Sequence, residues 1–215
     1  MIGERNMKLN GFKINFLGDS ITQGVGASDT AYCYVSQVER LTGAVCRNYG
    51  ISGTRIARRS VPYESPQYDR DFCSRVEEMD PDADMIVVFG GTNDFGHGDA
   101  PLGEMSDRTV WSFYGALHVL YNSLFQKYPN AKIVVLTPMK RHEEARNGRF
   151  LLPFVEAVRE VAGSYQLPIL DIYADFPVDL HDPKIEAAYI PDGLHPNDAG
   201  HMMIAETLVR FLEKL

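Results

Sequence analysis

The sequence predicts an α/β fold: a three-layer α/β/α sandwich around a five-stranded parallel sheet, doubly wound in the flavodoxin-like manner. Three observations predict it. Apolar runs of strand length alternate with segments of helical period. Those runs are continuous and β-branched, as strands buried on both faces are. The chain has 215 residues, 45% of them hydrophobic and 23% charged, which fits one soluble globular domain over 1–215.

Taken in order, Lys13 to Leu17 is the first strand, leading through Gly18 towards a helix around Tyr32 to Leu41. Ala44 to Asn48 is a second, weaker strand. Asp84 to Phe89 is the clearest, closed by Gly90 and Gly91. Lys132 to Leu136, stopped at Thr137-Pro138, is the fourth, and Pro168 to Ile172 the fifth. Helical periodicity covers about 70–79, 108–127, 150–165 and 198–215. In the last, Ile204, Leu208, Phe211 and Leu212 share a face, with Asn197 or Asp198 where an N-terminal cap belongs. No repeats, low-complexity tracts or linkers interrupt the pattern.

A net charge of −8 argues against nucleic acid or an anionic membrane as partner. Met1 to Asn10 carries Glu4, Arg5 and Lys8 and lacks the apolar core of a signal peptide. No apolar stretch approaches the ~20 residues of a membrane span. Cys33, Cys46 and Cys73 are odd in number and without metal-ligand spacing, so free thiols in a reducing cytoplasm are expected, with no metal.

In a parallel sheet, residues that follow the strands gather at the carboxyl edge. There the chain places Gly18-Asp19-Ser20-Ile21 after strand one and Gly50 to Gly53 after strand two. Gly91-Thr92-Asn93-Asp94 follows strand three, and Asp192-Gly193-Leu194-His195-Pro196 comes after strand five. A neutral serine is a poor nucleophile; it needs a base to take its proton and a third group to orient that base. Ser20, His195 and Asp192 offer those groups. The Asn93 amide, the Gly53 N–H and the Ser20 N–H are candidate donors to a developing oxyanion. Each motif alone has a plainer reading: Ser20 as a helix cap, Asn93 and Gly53 as turn residues, Asp192 and His195 as a surface loop. Their convergence on one edge decides for chemistry. His118 and His201 fall in helices and read as structural, whereas His97 and His181 lie in loops. Asp19, His97 and Phe150 are candidate substrate contacts. The stretch 138–148, with Lys140, Arg141, His142 and Arg146, then Arg149, reads either as solvated charge or as a greeting for a polar or anionic substrate, and so do Arg55, Arg58 and Arg59.

These blocks resemble the SGNH hydrolases, also called the GDSL esterase/lipase family, from about residue 13 to the end of the chain. Ser20 matches in Gly-Asp-Ser-Ile, Gly53 in the Ile-Ser-Gly block, Asn93 in Gly-Thr-Asn-Asp and His195 in Asp-Gly-Leu-His-Pro. The first block ends in Ile21 where the family usually has leucine, a departure that leaves the chemistry intact. The resemblance implies a serine esterase with the Ser20–His195–Asp192 triad, no cofactor, and a small-molecule ester as substrate. Polar loops favour a short acyl group such as acetyl on a polar or carbohydrate alcohol. A lysophospholipase, lipase or thioesterase on the same triad is the alternative; a catalytically inactive binding module and a homo-oligomer remain open. A flavodoxin-like flavin or nucleotide binder would need a phosphate cradle where Asp19 places a carboxylate.

Overall fold

The computed structural model describes residues 8–62, 65–66 and 69–215; the leader reading of Met1 to Met7 lies outside them. Its frame is a sheet of β1 (Lys13–Gly18), β2 (Val45–Gly50), β3 (Met85–Phe89), β4 (Lys132–Leu136) and a short final strand, Ile169–Leu170. The order is β2-β1-β3-β4 and then the final strand, with every pairing parallel. That is the doubly wound order, with its crossover beside β1. All five strands therefore present their carboxyl ends to one edge.

Strand side chains alternate between two layers. Met85, Val87 and Phe89 join Ile14 and Phe16 against helices α2 (Tyr34–Thr42) and α9 (Asp198–Leu212). Ile86 and Val88 join Leu17 on the other face, against α5 (Phe113–Lys127) and α6 (Leu152–Ser164). Every residue of β3 is buried, so its sequence is uninterrupted Met-Ile-Val-Val-Phe. The edge strand β2 is half-exposed and correspondingly more polar. The remaining elements are short: α1 (Ser20–Gln23), α3 (Phe72–Arg75), α4 (Thr92–His97), the hairpin of β5 (Ala145–Arg146) and β6 (Arg149–Phe150), α7 (Ile172–Asp175) and α8 (Pro183–Tyr189). The final sheet strand is numbered β7.

Several boundaries differ from the sequence expectation, each for a local reason. The fifth strand shrinks to two residues because Asp171 turns its side chain to cap α7, accepting from the Ala174 N–H at 3.2 Å. The helix expected over 70–79 starts at Phe72, capped by Asp71, and gives way to a 3₁₀ turn at Val76–Glu78; Pro81 then forbids helix at Asp80. The 108–127 helix begins only at Phe113, because Ser112 caps it. Phe150 lies in β6, ahead of α6. Asn197, not Asp198, caps α9, accepting from Gly200 N–H at 3.1 Å. Asp198 instead holds the Ser28 N–H and hydroxyl, at 2.7 and 2.6 Å. His97, expected in a loop, ends α4. Among the described residues, no helix is long and apolar enough to cross a membrane.

Candidate active site

Ser20 opens α1 immediately after β1. Asp19 caps that helix by accepting the Ile21 N–H at 3.0 Å. At the first helical position, the Ser20 N–H has no carbonyl of its own helix to bond. The Ser20 hydroxyl lies 3.0 Å from His195 Nε2, across 175 residues of sequence. On the other side of the ring, His195 Nδ1 lies 2.7 Å from Asp192 Oδ2. A carboxylate can only accept, so Nδ1 carries the proton and Nε2 is bare towards the serine.

A tight turn holds this arrangement. Asp192 Oδ1 accepts the N–H groups of Leu194 and His195 at 2.9 and 2.6 Å. Burial alone would raise the Asp192 pKa; the bonds from the His195 N–H, its imidazole and the Leu194 N–H outweigh it and hold the carboxyl below its usual range. Asp192 thus stays ionised beside the ring. Gly193 lies at φ +74°, and an added Cβ would stand 2.5 Å from the His142 Cβ, so only glycine fits the bend. The His142 N–H donates to the Gly193 carbonyl at 2.8 Å, and the Asn197 side chain ties the following residues to Ala188.

The second and third loops meet beside Ser20. Asn93, 7% exposed near the start of α4, donates from Nδ2 to the Thr54 carbonyl at 2.9 Å. That carbonyl only accepts, which fixes the amide's orientation and turns Oδ1 towards His97 Nε2, 3.1 Å away. Desolvation, with the guanidiniums of Arg55, Arg59 and Arg141, lowers the His97 pKa to about 4. The ring is therefore neutral near pH 7, with its Nε2–H donating to Asn93. Gly53 precedes Thr54 at φ +74°, and its carbonyl accepts from Arg55 at 3.1 Å. Asp94 completes the junction by accepting the Ile56 and Ala57 N–H groups at 3.0 and 2.8 Å.

One residue that sequence reasoning missed holds these loops together. Arg75, 2% exposed, donates to the Gly18 carbonyl at 3.0 Å, to the Thr54 hydroxyl at 2.8 Å and to the Tyr49 carbonyl. It thereby joins the ends of β1 and β2 and the Gly53–Thr54 turn. Its only sequence signal was an arginine within an otherwise amphipathic segment.

The expected substrate contacts fare differently. Asp19 is 2% exposed and spent on capping α1, and burial raises its pKa to about 7; it is walled off rather than presented. His97 bonds Asn93 instead of facing an open loop pocket. Phe150 is 60% exposed on the hairpin, over a shallow hollow it shares with Leu152, Glu144 and Tyr173. His118 bonds Tyr165 and the Met105 carbonyl, and His201, fully buried, bonds the Tyr34 N–H and the Val25 carbonyl.

The sequence profile of the GDSL-like lipase/acylhydrolase family matches residues 16–203. The chain belongs to that family. A solved protein from Lactobacillus plantarum is 31% identical, over 94% of this chain and 97% of its own, with a TM-score of 0.82. More distant likenesses extend to the fold. The lipase/acylhydrolase from Enterococcus faecalis is 20% identical at TM-score 0.67, over 94% of this chain and 95% of its own. A variant of an acetyl-xylooligosaccharide esterase from Geobacillus is 23% identical at 0.66, over 96% of both. No curated protein matches the chain significantly. As a GDSL-like acylhydrolase, the protein is an enzyme of the carboxylic ester hydrolase class.

Proposed function

We propose that Ser20 is the nucleophile, His195 the general base and acid, and Asp192 the group that orients and stabilises the imidazolium. The observation that carries this reading is the unbroken line from Ser20 Oγ through His195 to Asp192, at 3.0 and 2.7 Å. Ser20 Oγ attacks the ester carbonyl carbon while His195 Nε2 takes the hydroxyl proton. The carbonyl oxygen becomes an oxyanion held by the Ser20 N–H, the Gly53 N–H and the second N–H of the Asn93 amide. The intermediate collapses, the alcohol leaves with the proton from His195, and Ser20 is left acylated. Water then gives its proton to His195 and attacks the acyl carbon. Collapse of this second intermediate frees the acid and returns the proton to Ser20.

The substrate we propose is a small ester of a short acyl group, such as acetyl, on a polar or carbohydrate alcohol. Support comes from a cavity of about 670 Å³ next to the Asp192–His195 turn, where Lys140, Arg141, His142, Glu144, Asp179 and His181 break up the apolar lining of Phe176, Pro177, Val178 and Leu180. A long acyl chain needs a continuous apolar trough. A series of p-nitrophenyl esters of rising acyl length, run beside acetylated xylo-oligosaccharides and lysophosphatidylcholine, tests this. Activity falling steeply beyond acetate or butyrate supports it. Preference for long chains would favour the exposed Phe150 and Leu152 surface and a lipase-like enzyme instead.

A further inference from the structure

Burying a cation without an anion is costly, and folded proteins supply the partner. The other arginines around this sheet edge are each satisfied, by a carboxylate or by several neutral acceptors. Arg159 is paired with Asp171, Arg58 with Asp71 and Arg55 with Asp69. Arg149 donates to the carbonyls of Gly98, Asp94 and Ala100, and Arg75 to the acceptors described above. Arg141 differs. Its side chain is half-buried, yet among the described residues it makes no carboxylate pair, and its Nε is buried with no hydrogen-bond partner. Its one side-chain hydrogen bond among the described residues is a long one, Nη1 to the Thr92 hydroxyl at 3.3 Å. The flat face of the guanidinium rests 5.4 Å above the Phe95 ring, which fixes its plane without neutralising its charge.

The position of this cation is as informative as its lack of an anion. Thr92 immediately precedes Asn93, and His142, the next residue after Arg141, donates to the Gly193 carbonyl of the triad turn. Burial depresses the Arg141 pKa, whereas the charges of Glu143, Asp192 and Asp19 act to raise it. Arg141 also lines the 670 Å³ cavity with Lys140, His142 and His181. The two acids of that cavity are already engaged, Glu144 by the Tyr173 hydroxyl at 2.7 Å and Asp179 by the His181 N–H at 2.9 Å.

We propose that Arg141 is a specificity-determining residue whose missing counter-ion is a carboxylate carried by the substrate, bound in the cavity that Arg141 lines next to the Gly193 turn. This rests on the triad reading above and narrows its substrate to esters bearing a negative charge. With Nε buried, the two terminal amino groups of the guanidinium are the planar, end-on fork that matches a carboxylate. The protein's net charge of −8 repels anions at long range, so the preference arises from this contact and not from steering.

Two matched pairs of esters test the proposal and separate the side on which the charge sits. Mono-p-nitrophenyl adipate against p-nitrophenyl hexanoate carries the carboxylate on the acyl group; 4-acetoxybenzoate against 4-acetoxybenzamide carries it on the leaving alcohol. The expected result is a preference of about ten-fold or more in kcat/KM for the anion within one pair. Arg141→Gln should bring that ratio close to one, and Arg141→Lys should restore part of it. The wild-type protein provides a second reading that needs no variant. Benzoate should compete with the neutral ester if the charge belongs to the alcohol, and adipate if it belongs to the acyl group, with benzamide and adipamide ineffective. Hydrolysis of the neutral esters with no anion preference in either pair overturns the proposal while leaving the triad intact, as does a preference that survives Arg141→Gln. Absence of all hydrolysis would instead strike the triad reading itself.

Discussion

Asn93 has one amide and two neighbours to satisfy before any substrate arrives. Thr54 takes one N–H and His97 supplies the proton for Oδ1, at 2.9 and 3.1 Å. The remaining N–H is thereby aimed rather than free to rotate. Replacing Asn93 by alanine is expected to lower kcat about 10²–10³-fold with little change in KM, measured on a p-nitrophenyl acetate series. His97 acts one step further back, as a positioning residue. His97→Ala should lower kcat about five-fold, the value of one hydrogen bond, and His97→Gln, whose amide can donate to Asn93, should recover part of the loss. A rise in KM with kcat untouched would return His97 to the role of substrate contact. At this scale the sequence was legible where the chemistry is local. Ser20 and the Asp192–His195 turn each offer their groups within one segment, and the parallel sheet that brings the segments to one edge made them readable together. Arg75 was not legible, because what distinguishes it is which distant carbonyls it meets; Arg141 was legible only as one of several charges that could greet an anionic substrate, because what sets it apart is the partner it lacks.

Among the elements, the buried strands announced themselves. Met85 to Phe89 has no polar interruption because both of its faces are covered. The short pieces were hidden. α4, Thr92–His97, contains glycine, asparagine and aspartate, all residues that favour turns, and it is held by tertiary bonds such as Arg149 to the Asp94 carbonyl at 2.9 Å. The Asp71, Ser112 and Asp171 caps each moved a boundary that periodicity alone had set. The loops that carry the site depend on α3, since Arg75 is its last residue. Arg75→Met keeps the length of the side chain and removes its donors from three buried acceptors. The Gly18 carbonyl keeps the Ile51 N–H and the Thr54 hydroxyl keeps the Ile51 carbonyl, so at about 1–3 kcal/mol for the acceptor left bare the variant should lose roughly 2 kcal/mol in urea denaturation. Its kcat should fall too, although Arg75 is not among the triad or oxyanion groups. A stability change under about 1 kcal/mol would show that the three contacts are replaceable by water.

For the whole molecule, the parallel, doubly wound sheet was legible because alternating strands and helices admit few other topologies. Its electrostatic consequence was not. Burial raises the carboxyl pKa of Asp19 to about 7 and that of Asp94 to about 6, from an ordinary value of 3.8. Between about pH 4 and 7 these two groups make the native state hold more protons than the unfolded chain, so their contribution to stability declines as pH rises. Burial lowers the pKa values of His97, His118 and His201, which works in the opposite sense over an overlapping range. The difference between variant and parent is therefore the informative quantity. Asp19→Asn keeps the oxygen that accepts from Ile21 and removes the titration. Its stability relative to the parent should climb from pH 4.5 to pH 8 in paired urea melts. A difference that stays flat or falls over that range would mean that Asp19 ionises normally in the fold.

The central claim, that Ser20 is driven by His195 as a nucleophile, meets its most direct test in covalent labelling. A fluorophosphonate should add once per chain, and peptide mass spectrometry should find the adduct on Ser20. Ser20→Ala should take no label and hydrolyse no p-nitrophenyl acetate while melting as the parent does, and His195→Ala should label far more slowly. Label on another residue, or ester hydrolysis undiminished in Ser20→Ala, would contradict the account.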